Sequence, residues 1–296
     1  MDELSLITLF CLVDDFCNAF EKECNHKNSL YHTPSSRWWT TRESMLSLSE
    51  LMTIALLFHK SDYRTFKHFY IESLQKYFRD FFPHLVSYKQ VNKLMKKTLF
   101  PLFILQQSLQ GKPSGIGFID STVLSVCHIC RASSHKVFQG MAKKGKTTTG
   151  WFYGFKLHLV INHAGEILAW MLSEGNMDDR TPVPALTKNI YGKIYGDRGY
   201  ISRKLFEQLY NRGLQLITRL KARMKNMLMD SVDKALLYKR SLVETVINKL
   251  KTQCQIEHHR HRSPIHFMIN LISGLVAYSL ESNKPSLQGI LNNFLG

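Results

Sequence analysis

The chain has 296 residues and a mass of 34.4 kDa, which suits one large domain or two modest ones. Apolar residues make up 44% of the chain and charged residues 21%, so it can bury a core, and general disorder is excluded. The net charge is +16, and residues 201–262 alone carry 14 basic and 5 acidic side chains. This excess indicates a polyanionic partner, most often nucleic acid.

Cysteine usage and the apolar stretches bear on the compartment. The six cysteines form no even framework, which is typical of a reducing cytosol. The chain begins with Asp2 and Glu3 instead of a basic stretch, so no secretory signal is expected. The apolar stretches Leu4–Val13 and Phe267–Leu280 are too short to span a bilayer. We therefore expect a cytoplasmic protein of bacterial type, associated with the nucleoid and without a membrane partner.

The first hundred residues are predicted to be helical. Apolar residues recur at helical spacing behind Ser47, which suits an N-cap, and a second apolar stripe ends at Pro83. Residues 87–99 predict a third helix. Short helices in a basic protein are compatible with a helix-turn-helix-like DNA-binding domain and with a plain helical bundle, and both remain open. Residues 1–110 are assigned to this domain, which ends at the linker Gly111–Gly115.

Beyond the linker the hydrophobic period changes from helical to extended. The pattern predicts strands and helices in the order β-β-β-α-β-α-β-α. The strands fall at residues 116–122, 152–161, 167–172, 193–197 and 214–218, and the helices at 181–189, 202–211 and 234–250. The predicted fold class is therefore α/β, with a mixed sheet covered by helices. This domain spans residues 111–296 and includes a C-terminal helix.

Three acidic residues lie where such a fold would build a site. Asp120 is predicted to end the first strand, where a charge is costly to bury unless a cation pairs with it. Asp197 follows the fourth strand between two glycines that permit a tight turn. Glu244 lies in the last predicted helix, on a polar face shared with Arg240 and Lys251. Each acid alone is better explained as a surface residue or a cap, but the three together, in this order of elements, indicate a site.

The chemistry of these acids indicates a metal. Carboxylate oxygens suit Mg²⁺ or Mn²⁺ better than zinc. Two such ions activate a water or a 3′-hydroxyl and stabilise the leaving oxygen of a phosphodiester. We therefore predict that Asp120, Asp197 and Glu244 are catalytic and hold two Mg²⁺ or Mn²⁺ ions, with Arg240 and Lys251 contacting phosphate.

Several stretches of the chain resemble one protein family. They are Phe118–Thr122, His135–Phe138, Gly150–His158, Glu174–Arg180, Tyr195–Tyr200 and Gln255–Arg262. On these residues the chain resembles the DDE insertion-sequence transposases, whose catalytic domain is RNase H-like, and within them the nine-eighty-two group of insertion sequences. Asp120, Asp197 and Glu244 fall where that family has its three metal-binding acids.

The last helix also matches the family, with one departure. Arg240-x₃-Glu244-x₆-Lys251 reproduces the signature of the family's helix. The tyrosine usual three residues before the arginine is Leu237 here, with Tyr238 one residue on. The resemblance implies cleavage of transposon-end phosphodiesters and transfer of the 3′-hydroxyl strand into target DNA, by a homodimer on double-stranded DNA. Two alternatives stay open: an RNase H-like nuclease without strand transfer, and a non-catalytic DNA-binding regulator.

Two basic segments are predicted to contact DNA. Gly140–Thr147 fits the pattern of a nucleotide-binding P-loop, but it leads into a predicted strand and not into a helix, so no nucleotide is expected. Its cations suit DNA-backbone contacts instead: Lys143, Lys144 and Lys146. Four further cations alternate with apolar residues and would share one face of an extended chain: Arg219, Lys221, Arg223 and Lys225. A solvated edge that resists aggregation is the other interpretation of this second segment.

Overall fold

A computed structural model describes residues 3–31, 45–219, 229–257 and 261–287. The chain divides into two compact units. The helical unit comprises Met1–Leu109, Gln253–Ile256 and Arg262–Leu280, and the sheet unit comprises Gln110–Thr252, Glu257–His261 and Glu281–Gly296. The first boundary falls at the start of the linker identified from sequence.

The helical unit begins with α1 (Glu3–Tyr31) and the buried helix α2 (Leu48–His59). Ser47 is the N-cap of α2 and forms a reciprocal capping box: the Glu50 backbone N–H donates to its hydroxyl at 3.0 Å. The single turns α3 (Phe66–His68) and α4 (Gln75–Tyr77) flank a π-helical segment. Two more helices follow, α5 (Tyr88–Met95) and α6 (Leu99–Ser108).

Six strands within the described residues form the sheet of the other unit. They are β1 (Ile116–Cys127), β2 (Lys143–Thr147), β3 (Gly150–Asn162), β4 (Ile167–Glu174), β5 (Gly192–Gly196) and β6 (Leu214–Thr218). β3 pairs antiparallel with β1 on one edge, and with β2 and β4 on the other. β5 continues the sheet parallel to β1, and β6 parallel to β5. The predicted RNase H-like mixed sheet is confirmed, with β2 as an additional strand.

Helices cover the sheet on both faces. They are α7 (Val183–Leu186), α8 (Arg203–Tyr210), α9 (Ser231–Tyr238) and α10 (Ser241–Thr252). α7 and α8 contribute Val183, Leu186, Leu205 and Leu209 to a buried cluster on one face of the sheet. Ser202 caps α8, and Gly213, at φ +77°, follows it.

The helix predicted over residues 234–250 is two helices in the structure, α9 and α10. α9 packs on β5 and β6, whereas α10 packs on β1 and β3. One straight helix cannot cover both strand pairs, so the chain turns at Lys239 and Arg240. The sequence predicts that Arg240 lies inside a helix. In the structure it instead precedes the first residue of α10.

The last described helix, α11 (Pro264–Ser279), belongs to the helical unit, where it packs on α2 and α6. Sequence alone places it in the same domain as the sheet. No helix in the described ranges is long and apolar enough to cross a membrane. Each of the six cysteines is a free thiol.

Candidate active site

The register of β1 and β5 brings the two aspartates together. Phe118 pairs with Tyr195 in parallel register, and Asp120 and Asp197 each lie two residues further on. β5 ends at Gly196, but Asp197 keeps an extended backbone with φ −77° and ψ 179°. Since side chains alternate along a strand, both carboxylates share a face with the Phe118 and Tyr195 rings. The sequence predicts that Asp120 ends its strand, but β1 continues to Cys127. Asp120 instead lies just beyond the part of β1 that pairs with β5.

Asp120 is held in a largely buried environment. Its side chain is 19% exposed, and its Oδ1 accepts a hydrogen bond from the Ser121 backbone N–H at 2.8 Å. Burial raises the pKa of Asp120 to about 6, and the charges of Asp197 and Glu244 act in the same direction. The Ser121 N–H and the Arg240 guanidinium oppose this rise in pKa. The three predicted acids thus act on one another electrostatically.

Arg240 links two of these acids directly. One of its guanidinium nitrogens lies 3.4 Å from Asp120 Oδ2, and another donates to Glu244 Oε1 at the start of α10. The turn between α9 and α10 aims the arginine at the sheet, while the i, i+4 spacing keeps Glu244 within its reach. A cation therefore bridges Asp120 and Glu244.

Asp197 is exposed and fixed by a local turn. Its Oδ1 accepts a hydrogen bond from the Gly199 backbone N–H at 2.8 Å and so caps the short turn Arg198–Tyr200. A Cβ at Gly199 would lie 2.9 Å from that oxygen, so a side chain there would displace the carboxylate. Glycine at this position keeps Asp197 in place.

The described residues hold no cluster of three or more His, Cys, Asp or Glu side chains in position to bind a metal ion. The chemistry of the site nevertheless fits a divalent cation. Its donors are all carboxylate oxygens, which suit Mg²⁺ or Mn²⁺. Asp120 is a largely buried acid, and burial raises its pKa although the Arg240 guanidinium acts in the opposite direction.

Lys251, predicted to contact phosphate, makes two contacts within the protein. β5 pairs only with Ile116–Phe118, and further along β1 the Val123 carbonyl accepts a hydrogen bond from Lys251 Nζ at 2.6 Å. Lys251 also forms an ion pair with Glu257 at 2.8 Å. The Glu257 carboxylate in turn accepts from the Ser125 backbone N–H at 3.1 Å. Together these contacts fasten the end of α10 to β1.

Sequence reasoning assigned no role to Tyr200, although the residue ends one of the stretches that resemble the family. Its side chain is 1% exposed, and it packs with Ile119 and Ile194 in the buried cluster under α7 and α8. Burial raises the pKa of Tyr200, and the charges of Asp120, Asp179 and Asp197 raise it further. The phenol is thus a buried neighbour of the acidic site.

A second unassigned group surrounds Asp179. Lys156 Nζ donates to Asp179 Oδ1 at 3.0 Å and to the Met177 carbonyl at 2.8 Å. The buried His158 ring, 4.0 Å from Asp179, bonds Ser173 at 2.7 Å. Burial lowers the pKa of His158 to about 4, so the ring is neutral at pH 7. Lys156 and His158 lie in the stretch Gly150–His158 that resembles the family. This resemblance was the sequence signal that could have identified the group.

The remaining predicted DNA-contact residues lie on β2, directly after β6, or outside the described residues. Lys144 and Lys146 are exposed on β2, and Lys143 is half-buried there. β2 runs into β3, so the helix that a phosphate-cradling loop requires is replaced by a strand. The Arg219 guanidinium lies 5.0 Å from the ring centroid of Tyr238, beside the buried Leu237. The rest of that basic segment, at Lys221, Arg223 and Lys225, lies outside the described residues.

Comparison with known proteins gives the family. Residues 110–264, just over half of the chain, match the family described as Transposase DDE domain, and this stretch includes all three acids. No curated protein sequence matches the chain. One similar solved structure is a piggyBac transposase synaptic complex with hairpin DNA, determined by cryo-EM. The two chains are 12% identical, with a TM-score of 0.47, and the match covers 91% of this chain and 74% of that one. From the match over residues 110–264, the chain belongs to the family of transposases that carry a DDE domain.

Proposed function

We propose that this DNA transposase cuts phosphodiesters at the ends of a mobile element and joins the freed 3′-hydroxyl to target DNA, with divalent metal ions as cofactor. The observation that carries the proposal is the register of β1 and β5, which sets Asp120 beside Asp197 while Arg240 draws Glu244 toward them. Asp120 is thus within electrostatic reach of two further carboxylates, each from a different element.

Asp120, Asp197 and Glu244 are the residues that would hold Mg²⁺ or Mn²⁺. When bound, two such ions supply Lewis-acid activation of the attacking oxygen and stabilise the leaving oxygen. Asp120 contributes a carboxylate whose burial disfavours its charge, so a cation there relieves an existing cost. The hydrogen bond from the Gly199 N–H fixes one carboxylate oxygen of Asp197.

Arg240 has two roles in this proposal. In the described structure its guanidinium neutralises Asp120 and Glu244. With a divalent ion held by the acids, the fork of Arg240 donors would be available to a phosphate beside them. Lys251 is a weaker candidate for phosphate contact, because its ammonium already donates to the Val123 carbonyl and pairs with the Glu257 carboxylate.

The DNA partner and the assembly are proposals of the same kind. The charge of +16 and the exposed lysines of β2 suit double-stranded DNA, which would be both the element's ends and its target. Joining requires two ends to be held at once, so we infer a homodimer on DNA. We also propose that the helical unit reads DNA, and that the chain belongs to the nine-eighty-two group of insertion sequences.

The test uses the full chain and DNA taken from the flanks of its own gene, with and without Mg²⁺. Asp197→Asn should abolish nicking while DNA affinity stays within about twofold, because the carboxylate would bind metal and not DNA. Glu207→Gln on α8, an exposed acid paired with Arg203, is the matched control and should nick normally.

Parallel loss of binding and nicking in a folded Asp197→Asn protein would contradict the catalytic assignment. A pre-cut substrate with a free 3′-hydroxyl separates the two halves of the reaction. Nicking without joining of that substrate would instead identify a nuclease. Nicking that requires ATP would reopen the P-loop interpretation of Gly140–Thr147.

A further inference from the structure

The hairpin formed by β2 and β3 presents an exposed tryptophan. Trp151 lies directly opposite Lys146 in the register of the two strands, one residue from the tip. Its side chain is 60% exposed, and Lys146 Nζ lies 5.7 Å from the centre of its ring. The indole is therefore held in solvent beside a cation.

The tip and base of this hairpin are both anchored. At the tip, the Thr147 hydroxyl lies 2.9 Å from the Thr149 hydroxyl and 3.2 Å from the Gly150 carbonyl. On the opposite face of the ribbon, Gly145 packs so closely on the buried Phe152 that a Cβ there would lie 2.5 Å from the ring. The packing is done by Phe152, so the fold does not require Trp151. Its position is fixed, and its ring remains 60% exposed although Lys146 lies over it.

The charges around the indole identify what would cover it. Lys144 and Lys146 are exposed and two residues apart on one strand, so they share the face on which Trp151 lies. A π surface flanked by lysines suits a nucleic-acid strand, in which bases stack on the aromatic ring and phosphates meet the cations. Bases inside a duplex already stack on one another, so an indole takes up a base that has left the helix.

We propose that the β2–β3 hairpin is a nucleobase-binding site, in which Trp151 stacks on an unpaired DNA base while Lys144 and Lys146 contact the phosphates of the same strand. The inference rests on the proposed transposase function. That function creates such bases, because strand cleavage leaves ends whose terminal nucleotides can unstack.

The test measures DNA binding by the full chain without divalent metal, so that no cleavage occurs. Two labelled probes are compared: a fully paired duplex, and the same duplex with one unpaired thymine. The wild type should prefer the second probe. Trp151→Ala should weaken binding to that probe about five- to one-hundred-fold and leave binding to the paired duplex unchanged. Trp151→Phe should retain part of the preference.

Tyr210→Ala is the matched control, since Tyr210 is 61% exposed on α8 and stacks on Phe206. It should bind both probes as the wild type does. An undiminished preference for the unpaired base in Trp151→Ala would overturn the nucleobase site, and so would equally weakened binding to the two probes. Either result leaves the transposase proposal standing, whereas a wild type that binds neither probe overturns both.

Discussion

At the scale of single residues, Asp120 shows how the site conflicts with the stability of the fold. A carboxyl with a normal pKa would be cheap to keep ionised, but burial raises the pKa of Asp120 from 3.8 to about 6. Its ordinary value applies in the unfolded chain, so the folded state binds more protons between about pH 4 and 6. Stability from this group is therefore present at low pH and is lost as the pH rises through about 6.

Asp120→Asn should accordingly stabilise the metal-free protein at pH 7.5, by up to about 3 kcal/mol. This gain in stability should shrink as the pH is lowered. It should vanish below about pH 4, where Asp120 is protonated in both the folded and the unfolded protein. Urea unfolding at a series of pH values measures this. A gain that is independent of pH would mean that the asparagine acts through packing and not through removal of the charge.

Tyr200 gives a second prediction at this scale. Its buried hydroxyl lies beside Ser121, next to Asp120. Tyr200→Phe keeps the ring packing but removes the buried hydroxyl beside Ser121, so we expect cleavage to slow by up to about tenfold. Single-turnover cleavage measures the rate, and the DNA dissociation constant should not move. An unchanged cleavage rate with a lowered melting temperature would show that the hydroxyl serves only the fold.

At the scale of elements, the sequence predicted those features that depend only on neighbouring residues of the chain. Ser47 was predicted as an N-cap because a cap acts on the next three residues of its own chain. The helix break at Lys239 was not predicted, because neither glycine nor proline occurs there. Its cause is the need to cover β5 and β1 with different helices, and that depends on packing between segments remote in sequence.

The length of β1 has the same kind of cause. Beyond the reach of β5, backbone groups of β1 are satisfied by Lys251 and Glu257, which follow in sequence more than a hundred residues later. β2 was not predicted because its lysines conceal a strand whose only buried position is a glycine. Such features become visible only when the partner is known.

The contacts of Lys251 predict a structural coupling. Lys251→Met and Glu257→Gln should each lower the free energy of unfolding by about 1–3 kcal/mol, since each removes one charge of a partly buried ion pair. The double variant should be destabilised by less than the sum of the two. The exposed pair Arg203 and Glu207 is the control, and its coupling should stay below about 0.5 kcal/mol. Full stability in Lys251→Met together with weakened DNA binding would favour the phosphate role instead.

At the scale of the whole molecule, the sequence indicated three candidate acids but not how they are arranged. Asp120, Asp197 and Glu244 were identifiable because charges beside apolar strands and stripes are unusual. The proximity of Asp120 and Asp197 follows from the parallel register of β1 and β5, and the link from Asp120 to Glu244 through Arg240 follows from the turn that precedes α10. Neither is encoded within one segment. Net charge, by contrast, follows from composition alone.

Neutralising Arg219, Lys221, Arg223 and Lys225 together should weaken binding to all duplex sequences alike. Each phosphate interaction that the variant removes reduces the log–log slope of affinity against salt by about 0.9, so four cations set a ceiling of about four units. Base-reading residues would behave differently, because removing one costs about 1–3 kcal/mol at one base position. Arg203→Gln with Lys204→Gln on α8 controls for the general reduction of charge. If the slope stays unchanged in the quadruple variant, these cations face solvent and resist aggregation, and the excess of 14 basic over 5 acidic side chains in residues 201–262 must act elsewhere, with Lys249 and Arg262 the next cations to test.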